Sequence, residues 1–222
     1  MKYKAVLFDL DGTLLNTLED LADSMNAVLA SRGHPTHPVS EYRYFVGDGM
    51  EVLARRSLSG SLGTDEAEVH ACAEAVQAEY GIRWKSKTRL YPGISDLLDS
   101  LTEKRVLLTM LSNKPHAFVE EIARHFFKPW KFASAQGARP GIPRKPDPTA
   151  ALAISRSVAV EPQDFLYLGD TNTDIKTATA AGMFPVGALW GFRTEAELKG
   201  AGARALAARP ADVLAVILGS GL

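Results

Sequence analysis

A single cysteine, Cys72, stands in a chain of 222 residues, so no disulfide can form within it and nothing marks an oxidising compartment. No apolar run approaches the ~20 residues that a membrane-spanning helix needs. No charge of one sign dominates: 25 Lys and Arg face 26 Asp and Glu, a formal net charge of −1. A basic patch for nucleic acid or an anionic membrane is therefore not expected. Internal repeats and low-complexity tracts are missing, and Met1-Lys2 leads straight toward a strand with no apolar signal region. The expectation is a cytoplasmic protein, a monomer or dimer, acting on a small molecule. What the chain does have is 46% hydrophobic residues, enough for a substantial core.

The segment Ala5-Val6-Leu7-Phe8-Asp9-Leu10-Asp11-Gly12-Thr13 carries the most functional information. Its apolar run reads as a strand buried on both faces. Asp9 and Asp11 are two apart and can lean the same way at the strand's end. The carboxyl end of a strand in an open α/β sheet is where ligands bind, and two carboxylates there repel unless a cation or proton lies between them. The same residues also read as a strand followed by a solvated Asp-Gly turn.

Further strand-like runs lie at Val106–Leu111, Phe165–Leu168 and Phe184–Leu189, with a weaker one at Lys131–Ala135 and helical patterns between them. This alternation predicts an α/β fold, a Rossmann-like parallel sheet core with helices on both faces. About eighty residues between the first strand and Tyr91-Pro92-Gly93 break the rhythm with helical patterns alone. A stripe from Leu18 to Leu29 closes at Gly33 and Pro35, Ser40 can cap a second helix, and Thr64 can cap a third. Residues 16–88 are therefore expected as an inserted helical cap domain, with 1–15 and 89–222 as the core and hinges near Leu15–Thr17 and Thr88–Leu90. The Ala-rich end, Ala201 to Ala208, is expected to be helical.

Three later strands also end in polar residues. Ser112-Asn113-Lys114-Pro115 can seat a phosphate or simply cap a helix. Prolines around Asp147 in Lys145-Pro146-Asp147-Pro148 can aim Lys145 at a phosphate, or leave it a solvated lysine beside a capped helix. In Gly169-Asp170-Thr171-Asn172-Thr173-Asp174, capping and dipole compensation account for Asp174 but poorly for Asp170. Together Asp9, Asp11, Ser112, Lys145, Asp170 and Asp174 fall on one sheet edge, a set suited to Mg²⁺ and a phosphate.

These segments, in this order and with the gap for a cap, resemble the haloacid dehalogenase-like hydrolase superfamily over essentially the whole chain. The resemblance implies Asp9 as nucleophile and Asp11 as general acid and then base, with Asp at this second position pointing to phosphoryl transfer. It implies Mg²⁺ held by Asp9, the Asp11 backbone carbonyl and Asp170. Ser112, Asn113 through its backbone, and Lys145 would bind the phosphoryl group, with Lys145 counted among the catalytic residues. Thr13 would steady the first loop, and Asp174 would support the metal's waters or Lys145.

Val46-Gly47-Asp48-Gly49, Leu90-Tyr91-Pro92-Gly93 and Leu189-Trp190-Gly191-Phe192 are most similar to the phosphoglycolate phosphatase branch, with Gly47, Asp48 and Gly49 a possible substrate loop or a plain turn. Asn16 departs from the acid common among relatives. Arg55 or Arg43 can pair with a substrate carboxylate, and neither is assigned. The expected reaction is hydrolysis of a small phosphate monoester, 2-phosphoglycolate first. A sugar-phosphate mutase and a non-hydrolytic phospho-acceptor module are the alternatives.

Overall fold

The computed structural model describes residues 2–219. It opens with β1 (Ala5–Phe8), β2 (Leu15–Asn16) and α1 (Leu18–Ser31). The inserted stretch then holds α2 (Tyr42–Phe45), α3 (Met50–Ser57) and α4 (Glu66–Arg83), and ends in β3 (Arg89–Leu90). From there α5 (Ile94–Glu103), β4 (Leu107–Pro115), α6 (His116–Phe126), β5 (Phe132–Ala138) and α7 (Thr149–Ser157) follow. The chain closes with β6 (Phe165–Gly169), α8 (Asn172–Ala180), β7 (Phe184–Ala188), α9 (Glu195–Gly200), β8 (Ala205–Ala207) and α10 (Asp212–Leu218).

Six strands form one sheet in the order β5-β4-β1-β6-β7-β8, with every pairing parallel. Ala5 and Leu7 on one face of β1 join a core cluster with Ala150, Ala151 and Ile154 of α7 and Ala178 of α8. Val6 and Phe8 point the other way and are equally at 0% exposure, so both faces of β1 are covered. That double burial requires the continuous apolar run, and each such side chain contributes about 1.5–3 kcal/mol.

The chain leaves β1 for β4 and β5 on one side and later returns to β6, β7 and β8 on the other. Such a reversal is where open α/β sheets bind ligands, here at the carboxyl ends of β4, β1 and β6. Phe8 pairs with Met110 on one side and Leu168 on the other. The register therefore delivers Asp9, Ser112 and Asp170 to the same edge within one residue of each other along their strands.

The chain divides into two compact units. One comprises the segments up to Leu15 and from Leu90 onward; the other is Asn16–Arg89. The two crossings between them, β2 and β3, pair as a short ribbon. In the inserted unit, the buried carboxylate of Asp20 on α1 accepts from the Thr88 amide and hydroxyl, both at 2.8 Å, and from the Lys87 amide at 3.0 Å. This clamp ties the end of the inserted stretch to its first helix.

Several local expectations are corrected. Ser40 makes no cap; it lies inside a short 3₁₀ turn, Val39–Glu41, that runs into α2. Asp65, not Thr64, caps α4, accepting from the Ala67 and Glu68 amides, because Asp65 has the extended backbone of an N-cap while Thr64 lies inside the preceding 3₁₀ turn. The Ala-rich stretch is not a helix. Gly200 ends α9, and Ala205–Ala207 instead pairs with β7 as the last strand of the sheet. Edge pairing there outweighs the intrinsic helical preference of alanine, and Gly202 and Pro210 bracket a segment too short to nucleate a helix.

Candidate active site

Gly12 turns the chain directly after the two carboxylates. Its φ is +92°, and a Cβ there would lie 2.3 Å from Asp170 Oδ2. Only glycine lets the backbone cross so close to that carboxylate. The next residue, Thr13, donates its hydroxyl to Asp170 Oδ1 at 2.8 Å, and the Phe192 amide donates to Oδ2 at 2.8 Å. Trp190 fastens this arrangement by donating its indole N–H to the Thr13 carbonyl at 2.9 Å. Both oxygens of Asp170 are thus held by the chain, and the carboxyl is fully buried.

Lys145 is the hub of the site. Its ammonium donates to Asp9 Oδ1 at 2.6 Å, to Asp174 Oδ1 at 2.7 Å and to the Leu111 carbonyl at 3.2 Å. Its direction is set by Asn113. The Asn113 amide group donates to the Lys145 carbonyl at 3.1 Å and accepts from the Lys145 amide at 2.9 Å. Asn113 was expected at the phosphate through its backbone; its side chain is committed to Lys145. Asp174 is held from behind by the α8 capping box, in which Thr171 donates through its amide and its hydroxyl to Oδ2, at 3.0 and 2.6 Å.

Asp9, Asp170 and Asp174 are all buried, and each offers an oxygen within 4.8 Å of the others. Burial is the first cause that raises the carboxyls of Asp9 and Asp170, and the charge of Asp174 is the second. Asp170 is pushed up to about 7. Burial alone would lower the Lys145 ammonium; the charges of Asp174 and Asp9 outweigh it and hold Lys145 charged, well above the usual lysine range. The site therefore carries more negative charge than one ammonium neutralises, on hard oxygen donors, which fits a divalent cation such as Mg²⁺. Asp9 and Asp170 are the side-chain groups that would hold it. Asp174 joins the cluster as well, though the resemblance gave it a supporting place and its oxygens are engaged by Lys145 and Thr171.

Asp11 leans elsewhere. Its carboxylate stands apart from this cluster, and Oδ1 lies 3.2 Å from the Lys114 ammonium. Ser112 lies at the end of β4, buried, with its hydroxyl oxygen accepting from the Lys114 amide at 3.2 Å. Its own proton can still point outward to an anion. Sequence reasoning passed over Lys114; the available signal was its two-residue spacing from Ser112 along a strand. It also passed over the structural work of Trp190, Phe192 and the Asn113 side chain, because nothing local says that they reach Thr13, Asp170 and Lys145.

Gly47, Asp48 and Gly49 lie in the inserted unit, as the loop that leads into α3. Both glycines have positive φ, +120° and +99°. Arg56 holds the loop by donating to Asp48 at 2.6 Å and to the Tyr44 carbonyl at 3.1 Å. Arg55, a candidate for a substrate carboxylate, pairs with Glu66 at 2.7 Å.

The family model described as haloacid dehalogenase-like hydrolase matches residues 6–188. Phosphoglycolate phosphatase 1 of Pseudomonas aeruginosa is 33% identical over 192 residues, covering 85% of this chain and 70% of that protein. A phosphoglycolate phosphatase of Haemophilus influenzae is 34% identical over 197 residues, covering 86% and 88%. A crystal structure from Lactobacillus delbrueckii subsp. bulgaricus, provisionally described as a phosphoglycolate phosphatase, superposes with a TM-score of 0.91 at 32% identity, covering 99% of this chain and 100% of that one. Among the described residues no helix is long and apolar enough to cross a membrane.

Proposed function

Since the chain belongs to the haloacid dehalogenase-like hydrolases, we propose that it is a Mg²⁺-dependent phosphomonoesterase that forms an aspartyl-phosphate on Asp9, with 2-phosphoglycolate as first substrate. The observation that carries this reading is the junction of Asp9, Lys145 and Asp174 beside Asp170, at the carboxyl edge where the sheet reverses. Similarity to phosphoglycolate phosphatases over 85–86% of the chain supports the choice of substrate.

Asp9 Oδ2 attacks phosphorus, the bond to the leaving oxygen breaks, and Asp11 gives that oxygen a proton. Asp11 then takes a proton from water, the water oxygen attacks phosphorus, and the bond to Asp9 breaks to release inorganic phosphate. Lys145 offsets the charge of the incoming phosphate and keeps Asp9 Oδ1 occupied, so that the other oxygen of that carboxylate is the one presented. Ser112 donates a hydrogen bond from its hydroxyl to a phosphoryl oxygen, and Asn113 keeps Lys145 in place. Thr13 and the Phe192 amide orient Asp170. A divalent cation, once bound, supplies charge neutralisation between the carboxylates and the phosphoryl oxygens.

The test is phosphate release from 2-phosphoglycolate with Mg²⁺ and with chelator. Release that needs Mg²⁺ and falls at least about 10³-fold in Asp9→Asn, with an unchanged circular dichroism spectrum, is the expected result. Near-normal turnover in Asp9→Asn refutes the nucleophile, and isomerisation of a hexose phosphate without phosphate release points to the mutase.

A further inference from the structure

Lys114 places a second buried ammonium in the site, and neither the phosphoryl-binding groups nor the cation ligands account for it. Its side chain is 2% exposed, and its ammonium stands 3.2 Å from Asp11 Oδ1. That distance makes an ion pair, yet Asp11 Oδ1 is a buried oxygen with no hydrogen-bond partner among the described residues. The contact is one of charge, which a second anion brought beside the ammonium can share. The backbone of Lys114 is fixed meanwhile, because its amide donates to the Ser112 hydroxyl oxygen at 3.2 Å.

The two lysines divide the site. Lys145 is locked between Asp9 and Asp174, on the side of the attacking oxygen. Lys114 meets Asp11, the residue that must approach the leaving oxygen to within about 3 Å to pass it a proton. The ammonium and the leaving oxygen thus contact the same carboxyl group. A group on the first carbon of the leaving alcohol extends about 2.5–3.5 Å beyond that oxygen, on the same scale as the 3.2 Å between the Lys114 ammonium and Asp11 Oδ1.

We infer that Lys114 is a specificity-determining residue that binds a carboxylate on the leaving alcohol, releasing Asp11 as it does so. The inference rests on the phosphatase reading above and deepens it: the preferred substrates are phosphate esters of 2-hydroxy acids, in which the carboxylate sits one carbon from the ester oxygen. A site built around a buried cation discriminates against an ester with no anionic group there, because the ammonium then stays with Asp11 and holds it from the leaving oxygen.

The experiment compares 2-phosphoglycolate with ethyl phosphate, which has a methyl group where the acid has its carboxylate. Both are measured with the full chain in Mg²⁺, for the wild type, Lys114→Met and Lys114→Arg. The wild type is expected to favour 2-phosphoglycolate in kcat/KM by about 10- to 100-fold or more. Lys114→Met is expected to cut that preference at least tenfold, mainly through KM for the acid, and Lys114→Arg to retain part of it. Circular dichroism checks folding, and Lys114→Gln replaces the Met variant if that one fails to fold. Equal losses on both esters overturn the inference, since Lys114 then only orients Asp11. Hydrolysis of both esters by the wild type without preference also overturns it, leaving the phosphatase reading intact. Hydrolysis of neither ester overturns both.

Discussion

Removing the divalent cation and raising the pH should destabilise this protein in a way that its buried carboxylates define. Asp170 is fully buried, beside Asp174 and Asp9, and its carboxyl is raised from an ordinary 3.8 to about 7. A carboxyl that holds its proton more tightly when folded gives the folded state extra protons between about pH 4 and 7. Its contribution is therefore most favourable at low pH and is lost as pH rises through that window, levelling off above 7. The full displacement corresponds to about 4 kcal/mol, of which about 3 kcal/mol falls between pH 5 and 8.

A cation bound among the same oxygens replaces the proton, so the loss should vanish in saturating Mg²⁺. For a chain of this size about 3 kcal/mol means a fall in Tm of roughly 6–12 °C. The assay is thermal or urea denaturation from pH 5 to 8, in chelator and in Mg²⁺, with Asp170→Asn run beside the wild type to subtract every other titrating group. The stabilisation by Mg²⁺ should grow with pH in the wild type and be small in the variant. A wild-type-minus-variant difference that stays flat across this range in chelator, or a Mg²⁺ increment equal at pH 5 and pH 8, would refute the electrostatic account of the site.

Gly191→Ala would place a Cβ 2.2 Å from the Asp170 Cβ and 2.5 Å from its Oδ2. The displaced carboxylate should raise the Mg²⁺ concentration needed for half-maximal activity about 10- to 100-fold, at a stability cost of about 1–3 kcal/mol. A Mg²⁺ titration that does not move would count against Asp170 as a ligand. Asp20→Ala removes the acceptor of two amides and a hydroxyl at the base of the inserted unit, and should cost about 2–4 kcal/mol in urea denaturation. A cost below about 0.5 kcal/mol would mean that solvent replaces the clamp.

The residues of the site were legible where an apolar strand ends at a charged group. Ala5–Phe8 before Asp9 and Phe165–Leu168 before Asp170 are runs whose burial on both faces leaves little else for them to be. Lys145 and Asn113 were legible as positions, but their mutual hydrogen bonds join residues 32 apart and have no local pattern. The alanines at the end of the chain misled, since their helical preference is worth tenths of a kcal/mol per residue while a free sheet edge offers paired backbone groups.

Local order alone determined the α/β alternation, the long helical insertion, and the carboxylates and lysine brought to one edge, because periodicity and strand-end chemistry are properties of neighbours in the chain. Only the tertiary structure decided which groups meet. It turned Asp11 to Lys114, drew the Trp190 indole back onto the loop after β1 and the Phe192 amide onto Asp170, and committed the Asn113 amide to Lys145. Those choices are set by distances between residues far apart in sequence, and charges and donors separated along the chain carry no record of one another until the sheet closes around them.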